Sequence, residues 1–472
     1  MKTVVAFDFG ASSGRAIKAV YDNGKISYEE IHRFENIPVI DDTGVHHDVP
    51  MILNEIKTAV AKAGNIDALA FDTWGVDYGL IGKNGELIDL PYHYRDLRTE
   101  NALEKVEKVI NFNDLYSETG NQIMNINTLF QLVSDKKLGD AKKIVFMPDL
   151  FGYLLTGNIV CDETIASTSQ MLNPVNKQWS DSVVEKCSVN KNILPKIVKS
   201  ATVNGEYNGI KVITVAGHDT QCAVASMPCN DGENPIFLSC GTWSLIGCEL
   251  DFPVLTEKSN ALELSNELGA NGKIDYLKNI SGLWLIQQTK KELEAAGQKL
   301  SYNDLEIAAR ESEPFKCFVD PDAPVLSAHG NLIEKIKKYC EITNQYVPQT
   351  IGEIVRCIYE SLALKYRYAV EQIKECTGKT FDVLHILGGG TKDGFLCELT
   401  ANSTDMPVVA GPVEATALGN IILQLIALDE IKNVDEGRKI IKQSEKTHNY
   451  KPNHTDEWDK AFNRYVQIIN RG

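Results

Sequence analysis

Residues 4–15 read Val-Val-Ala-Phe-Asp-Phe-Gly-Ala-Ser-Ser-Gly-Arg, and residues 16–21 follow as Ala-Ile-Lys-Ala-Val-Tyr. Two apolar runs on either side of a Gly-Ala-Ser-Ser-Gly turn are typical of a β-hairpin. The turn leaves backbone N–H groups able to bind an anion, while Asp8 can hold a cation and Arg15 can neutralise phosphate charge. The stretch predicts a phosphate-binding hairpin, although an ordinary tight hairpin has the same composition.

A second stretch repeats this plan halfway along the chain. Residues 235–247 read Pro-Ile-Phe-Leu-Ser-Cys-Gly-Thr-Trp-Ser-Leu-Ile-Gly. In its turn, Gly241 and Thr242 can hold phosphates through backbone N–H and hydroxyl groups. Two such hairpins predict two similar α/β domains, at residues 1–233 and 234–472, with mixed sheets flanked by helices and facing each other across a central cleft. This is the layout of the actin-like (ribonuclease H-like) fold.

Composition narrows the class of protein. The 472 residues are too many for one ordinary core, and the formal net charge of −16 argues against nucleic acid or an anionic membrane surface as a partner. We find no apolar run of membrane-spanning length and no basic-then-apolar leader before the first strand, so we expect a cytoplasmic protein. The eleven cysteines show no CxxC spacing, and we expect them to be reduced.

The sequence of residues 68–79 predicts a sugar-binding strand end. It reads Ala-Leu-Ala-Phe-Asp-Thr-Trp-Gly-Val-Asp-Tyr-Gly, a buried strand that runs into polar and aromatic residues where α/β sheets place their ligands. Asp and Thr can bond sugar hydroxyls, Trp can stack on a sugar, and Gly75 lets a ligand approach the backbone. A structural turn with a core tryptophan fits the composition equally well.

The candidate general base lies in residues 212–220, Val-Ile-Thr-Val-Ala-Gly-His-Asp-Thr. A strand here runs into a glycine, and Asp219 then opens a predicted helix at 221–227. A helix N-terminus lowers the pKa of a carboxyl group, so we expect Asp219 to be ionised and able to accept a proton from an alcohol. A helix cap without catalytic function is the alternative.

Glycines at 388–390 follow a predicted strand at 381–387 and precede a predicted helix at 395–402. Such a turn allows a nucleotide to lie against bare backbone. Upstream, the apolar spacing of residues 351–376 predicts a long amphipathic helix. The segment at 277–287, Leu-Lys-Asn-Ile-Ser-Gly-Leu-Trp-Leu-Ile-Gln, is predicted to be a loop that enters a helix, with Trp284 in the core.

Five motifs in order along nearly the whole chain resemble the FGGY carbohydrate kinases and, within that family, the rhamnulokinases. They are Asp-Thr-Trp-Gly-Val-Asp at 72–77, Tyr-Arg-Asp-Leu-Arg-Thr at 94–99, Gly-His-Asp at 217–219, the 277–287 segment and Glu-Ala-Thr-Ala-Leu-Gly at 414–419. Tyr94 replaces the tryptophan usual in the family, so we assign it no stacking role. Some members carry a cysteine pair matching Cys340 and Cys357, where a disulfide is possible but reduced thiols are our expectation.

The resemblance implies site residues. Asp219 would be the general base, and Asp8 would hold Mg²⁺ directly or through water. The implied sugar contacts are Gly75, His218, Asp219, Thr220 and Asn279. The implied ATP contacts are Ala11, Ser12, Ser13, Gly14, Arg15, Thr242, Gln287 and Gly389.

The resemblance also implies a reaction. ATP would phosphorylate L-rhamnulose at its 1-hydroxyl, giving L-rhamnulose 1-phosphate and ADP in L-rhamnose catabolism. The enzyme would be a monomer or a homodimer, and its cleft would close on both substrates. One alternative is another FGGY kinase, acting on L-fuculose, xylulose or glycerol. A second is an actin-like ATP-binding protein without sugar kinase activity.

Overall fold

The computed structural model describes residues 1–10, 12–230, 232–327 and 330–470. The strands are β1 (Lys2–Phe9), β2 (Ser13–Asp22), β3 (Lys25–Glu35), β4 (Val39–Asp41), β5 (Gly44–His46), β6 (Ala68–Thr73), β7 (Tyr78–Ile81), β8 (Lys143–Phe146), β9 (Cys161–Asp162), β10 (Leu172–Asn173), β11 (Gln178–Trp179), β12 (Ile197–Val198), β13 (Thr202–Tyr207), β14 (Ile210–Thr214), β15 (Pro235–Cys240), β16 (Trp243–Leu250), β17 (Ser265–Leu268), β18 (Ile274–Ser281), β19 (Val383–Leu387), β20 (Val408–Ala410) and β21 (His448–Tyr450).

The helices lie between or after these strands, singly or in runs such as those at residues 102–132 and 284–377. They are α1 (Val49–Ala63), α2 (Ala102–Glu107), α3 (Phe112–Thr119), α4 (Thr128–Leu132), α5 (Met147–Thr156), α6 (Glu163–Ala166), α7 (Asp181–Lys186), α8 (Asp219–Ala225), α9 (Glu257–Ala261), α10 (Trp284–Ala295), α11 (Tyr302–Glu311), α12 (Pro324–Ser327), α13 (Leu332–Ile342), α14 (Ile351–Thr377), α15 (Gly394–Thr404), α16 (Ala415–Ala427), α17 (Val434–Ser444) and α18 (Thr455–Ile469). Among the described residues, no helix has both the length and the apolar character that crossing a membrane requires.

The chain forms two compact units, neither of which is one continuous segment. The first contains Met1–Cys229, Glu249–Tyr276 and Ala415–Glu445, and the second contains Asn230–Cys248, Leu277–Glu414 and Lys446–Gly472. The predicted division between residues 233 and 234 stays a prediction.

The first unit is built on a six-stranded mixed sheet with the order β13-β14-β6-β1-β2-β3. The predicted hairpin is confirmed, since β1 pairs antiparallel with β2. Strand β6 runs parallel to both β1 and β14. Parallel strands end at the same edge of a sheet, so the polar segments that follow β6 and β14 emerge side by side, next to the β1–β2 turn.

Side chains alternate between the two faces of this sheet, and each face is covered by helices. Val5 and Phe7 of β1 pack in one core with Ile52 and Ile56 of α1. The other face carries small residues such as Ala6 and packs against α16, through side chains that include Leu418 and Ile421. A helix from the C-terminal part of the chain therefore completes the first unit.

In the second unit, strands β18, β16, β15, β19, β20 and β21 are neighbours in that order. The second predicted hairpin is confirmed by the antiparallel pairing of β15 with β16, and β15 runs parallel to β19. The predicted long helix is α14, which a capping box of Thr350 and Glu353 begins and Gly378 in the left-handed conformation ends.

Candidate active site

The β1–β2 turn is held closed by its own backbone and by Asn36. The Gly10 N–H donates to the Ser13 carbonyl over 2.9 Å, and the Asn36 Nδ2 donates to the Gly10 carbonyl over 3.1 Å. A Cβ atom on Gly14 would lie 2.7 Å from Cε1 of Phe34, so a larger residue here would have to displace the Phe34 ring. Of the predicted ATP contacts in the turn, Ser12 is exposed, whereas Ala11 lies outside the described residues.

Asp8 and Arg15 face each other across this hairpin. The Arg15 Nη2 and Nε atoms donate to Oδ2 of Asp8 over 2.6 and 3.0 Å. The side chains are 12% and 20% exposed for Asp8 and Arg15, respectively. The pair therefore joins the carboxylate that we expect to hold a cation and the guanidinium that we expect to neutralise phosphate charge.

A second carboxylate, Asp72, lies beside Asp8. The two residues are partners in the parallel β1–β6 register, so their side chains emerge on the same face of the sheet. Asp72 is buried; its Oδ2 accepts a 2.6 Å hydrogen bond from Asn420 of α16, and its Oδ1 has no hydrogen-bond partner among the described residues. Burial, and next the charge of Asp8, raise the pKa of Asp72 well above its usual value.

The segment after β6 is hydrogen-bonded to Thr168 and contains one strained residue. A Cβ atom on Gly75 would lie 3.2 Å from Cγ2 of Thr168, and the Thr168 Oγ1 accepts a 3.1 Å hydrogen bond from the Val76 N–H. Val76 has a φ of 69°, a left-handed conformation that is unusual for a β-branched residue and costs conformational energy. Gly75 therefore keeps the backbone uncovered at a point that surrounding hydrogen bonds fix.

Asp77 and Trp74 belong to a buried network. The Asp77 Oδ2 lies 2.7 Å from His47 Nε2 and accepts a 2.9 Å hydrogen bond from Trp74 Nε1, while Oδ1 accepts one of 2.9 Å from Gln131. Burial alone would raise the pKa of Asp77, but its hydrogen bond and charge interaction with His47 lower it. Trp74 is 7% exposed, so the structure places it in the core rather than on a sugar-facing surface.

The Gly-His-Asp-Thr segment follows β14 and lies directly beside the end of β6. The Thr73 N–H donates to the Gly217 carbonyl over 2.9 Å, and Thr73 forms a parallel bridge with His218. His218 is the N-cap residue of α8 and Asp219 its first residue. The structure therefore brings three predicted sugar contacts, His218, Asp219 and Thr220, to the same sheet edge as Gly75.

The electrostatics of Asp219 differ from our expectation. Partial burial raises the pKa of Asp219, the charge of His218 lowers it, and the charge of Asp8 raises it again. The prediction of a lowered pKa was wrong, because burial and the neighbouring carboxylate of Asp8 raise the pKa. The Asp219 side chain remains 35% exposed, so it can still meet a ligand.

The predicted nucleotide contacts Thr242 and Gln287 lie together in the second unit. Oγ1 of Thr242 donates to Oε1 of Gln287 over 3.4 Å, and the Thr242 carbonyl accepts hydrogen bonds from Gly282 and Trp284. These contacts bind the β15–β16 turn to the start of α10. Trp284 is 7% exposed, which confirms its predicted place in the core.

The glycine turn after β19 reaches the same hairpin. Gly390 is packed so closely that a Cβ atom would lie 2.5 Å from the Cys240 Cβ at the end of β15. Gly389, by contrast, has no atom within 4 Å of the place where a Cβ would lie. The predicted loop at 277–283 is a strand as far as Ser281, and the half-buried Asn279 belongs to β18.

All eleven cysteines are free thiols in the structure, including Cys340 and Cys357. Both of these side chains are buried, and their sulfur atoms cluster with that of Cys317. This agrees with the expectation of reduced thiols.

Comparison with known proteins identifies the family. The model of the FGGY carbohydrate kinase N-terminal domain matches residues 3–229, and that of the C-terminal domain matches residues 236–428. The rhamnulokinase of Bacteroides thetaiotaomicron is 37% identical, over 98% of this chain and 99% of that protein. The rhamnulokinase of Ligilactobacillus salivarius is 38% identical, over 100% of this chain and 99% of that protein. The rhamnulokinase of Bacillus subtilis is 36% identical, over 93% of this chain and 92% of that protein.

Solved structures confirm the actin-like two-domain α/β fold. A ligand-bound xylulose kinase from Lactobacillus acidophilus has a TM-score of 0.82 at 18% identity, with 100% of this chain and 98% of that chain covered. A glycerol kinase from Plasmodium falciparum, solved with ADP, has a TM-score of 0.76 at 16% identity, with 100% and 98% covered. The motif resemblance is confirmed as well: this chain belongs to the FGGY family of carbohydrate kinases.

Proposed function

We propose that the protein transfers the γ-phosphoryl group of ATP to the 1-hydroxyl of L-rhamnulose, giving L-rhamnulose 1-phosphate and ADP in L-rhamnose catabolism. The observation that carries this proposal is the site at the ends of β6 and β14, where His218 and Asp219 lie beside the sugar-type segment at residues 72–77. Relatives at 36–38% identity over nearly their whole length carry the name rhamnulokinase, which supports this choice of ketose.

In this proposal Asp219 is the general base. Its partly exposed carboxylate accepts the proton of the 1-hydroxyl as that oxygen attacks the phosphoryl group. The base is most effective when its pKa lies near the working pH, and the upward shift caused by burial moves Asp219 in that direction. The sugar is held by Gly75, His218, Asp219, Thr220 and Asn279.

ATP is bound by residues of both hairpins. The polar backbone of the β1–β2 turn and the Arg15 guanidinium stabilise charge on the transferring group, and Thr242 binds phosphate from the β15–β16 turn. The proposed ATP contacts are Ala11, Ser12, Ser13, Gly14, Arg15, Thr242, Gln287 and Gly389.

The divalent cation of the reaction is proposed to be Mg²⁺, held by Asp8 directly or through water. Asp8 supplies a carboxylate oxygen, the kind of ligand that Mg²⁺ prefers. Beside it, Oδ1 of Asp72 has no hydrogen-bond partner among the described residues, which leaves a polar oxygen next to the proposed cation site. When bound, the cation would neutralise phosphate charge. Asp8 itself is kept in place by Arg15.

We expect Asp8→Asn to raise the Mg²⁺ concentration for half-maximal rate by about tenfold or more, because the variant removes a charged oxygen ligand or the partner of a coordinated water. The rate is measured over a Mg²⁺ series at fixed ATP. Asp22→Asn, the same change at an exposed carboxylate of β2, is the matched control and should leave the Mg²⁺ requirement unchanged. An unchanged Mg²⁺ requirement in Asp8→Asn would remove Asp8 from the cation site.

Substrate choice is tested by measuring ADP release with L-rhamnulose, L-fuculose, L-ribulose, D-xylulose, D-fructose and glycerol. We expect the highest kcat/KM with L-rhamnulose. A higher value with another ketose would leave the kinase reaction in place and overturn the substrate. ATP binding with no sugar-dependent ADP release would favour an actin-like ATP-binding protein instead.

The setting of the reaction is proposed to be the cytoplasm, where ATP is available to a catabolic kinase. We further propose a monomer or a homodimer. Light scattering after size-exclusion chromatography distinguishes the chain mass of 52.3 kDa from twice that value.

A further inference from the structure

Glu267 is an acidic residue that sequence reasoning left without a function. It lies in β17, within the segment Glu249–Tyr276 that belongs to the first unit. Its Oε2 atom is 2.9 Å from His218 Nδ1 and accepts a 2.7 Å hydrogen bond from Gln221 Nε2. Glu267 is 5% exposed and His218 is 8% exposed, so this contact is shielded from water.

The contact fixes the chemistry of the His218 ring. An ionised carboxylate can only accept hydrogen bonds, so Nδ1 of His218 carries a hydrogen and donates it to Glu267. The opposite nitrogen, Nε2, lies 3.6 Å from Oδ1 of Asp219. The imidazole is therefore placed between two carboxylates, one buried behind it and one at the candidate reaction site.

We propose that Glu267 is a positioning residue for phosphoryl transfer, which holds His218 as an imidazolium so that Asp219 stays ionised and ready to accept the sugar proton. This inference rests on the proposed function of Asp219. It assigns the two carboxylates different roles: Glu267 touches no substrate and acts only through His218.

The charges around His218 support this arrangement. Burial alone would lower the pKa of His218, but Glu267, Asp219 and Asp162 raise it above its ordinary value. Asp219, for its part, faces the carboxylates of Asp8 on β1 and Asp72 on β6. Like charges so close together favour the protonated form, and the His218 cation offsets them.

The guanidinium of Arg15 does not replace the His218 cation in this role. Arg15, on β2, has its Nη2 2.6 Å from Oδ2 of Asp8, and its charge lowers the pKa of Asp72. For Asp219, the charge of His218 is the interaction that lowers the pKa most. Removing the Glu267 carboxylate should therefore raise the pKa of Asp219.

The direct test is Glu267→Gln, which keeps the shape of the side chain and removes its charge. Without its partner, His218 loses its proton at lower pH, and Asp219 then requires a higher pH to ionise. We expect the acidic limb of the pH profile of kcat/KM to move upward by about one pH unit, with activity recovering at higher pH. A merely structural role would instead depress the rate at every pH.

Two further variants isolate the effect. Glu267→Gln should cause no additional shift when His218 is already Gln, because both changes remove the same interaction. Glu257→Gln removes an exposed carboxylate of α9 and should leave the profile in place. Equal shifts with and without His218 would overturn the proposal.

A second measurement does not depend on turnover. With ¹³Cε1-labelled histidine, the chain gives nine resonances, and His218 is assigned by the one that His218→Gln removes. We expect a lower His218 pKa in Glu267→Gln than in the unmodified chain, and an unchanged titration would refute the contact's role. If ADP release is never sugar-dependent, the proposed function fails. The titration would still decide whether Glu267 stabilises the protonated form of His218.

Discussion

Replacing Asp219 with alanine should lower kcat by roughly two to four orders of magnitude and leave ATP binding unchanged. The carboxylate is the proposed acceptor of the sugar proton, and a positioned general base contributes about that much to a rate. The fold should survive, because Asp219 is a partly exposed residue at the first position of α8, and its carboxylate accepts hydrogen bonds from the adjacent Thr220 rather than from another element. Residual activity is expected, since phosphate binding and sugar binding remain.

The measurement combines steady-state rates with calorimetric titration of ATP. Asp219→Asn, which keeps size and hydrogen bonding, should be nearly as slow as Asp219→Ala if the proton acceptor is what matters. Asp251→Ala, at an exposed carboxylate of the same unit, is the control and should retain activity. A loss of ATP affinity as large as the loss in rate would contradict a general base.

Replacing Gly419 with alanine should destabilise the first unit by about 3 kcal/mol. A Cβ atom at this position of α16 would overlap the carbonyl oxygen of Cys222 in α8 and lie 2.5 Å from its carbonyl carbon. Alanine favours helix by about 1 kcal/mol over glycine, but that gain is smaller than the cost of forcing two backbones apart. Gly419 therefore allows the close approach of α16 and α8.

Thermal unfolding followed by circular dichroism, together with the soluble yield, measures this effect. Gly139→Ala is the matched control, because a Cβ there meets no atom within 4 Å and its φ is not positive. It should change stability by less than about 0.5 kcal/mol. Equal melting temperatures for the two variants would mean that the helices separate at little cost.

Local patterns predicted the elements that local interactions build. The apolar spacing of residues 351–376 indicated α14, which Thr350 and Gly378 cap in the structure. The two turns rich in small residues indicated both hairpins, because such turns determine the pairing of adjacent strands. The ends of β6 and β14 could also be predicted, because in each case an apolar run stops at polar residues.

The remaining parts of the site depend on residues far apart in sequence. Asn420 bonds Asp72 across 348 positions, and Glu267 reaches His218 across 49. No periodicity or turn signal encodes such a contact, since it arises only when separate elements pack. The pKa of Asp219 was mispredicted for the same reason, because burial and the charge of Asp8 come from tertiary structure.

The division of the first unit into three segments has a consequence for its synthesis. Its sheet emerges from the ribosome early, but α16, which covers one sheet face and reaches Asp72, comes from Ala415–Glu445. At ordinary elongation rates these residues follow Cys229 by roughly ten to forty seconds. During that interval an apolar face of the nascent sheet lacks its helix, and a chain stopped near residue 233 would never acquire it. Among nascent chains arrested at increasing lengths, chaperone binding should therefore persist until the arrested chain is long enough for the segment ending at Glu445 to have left the ribosomal tunnel.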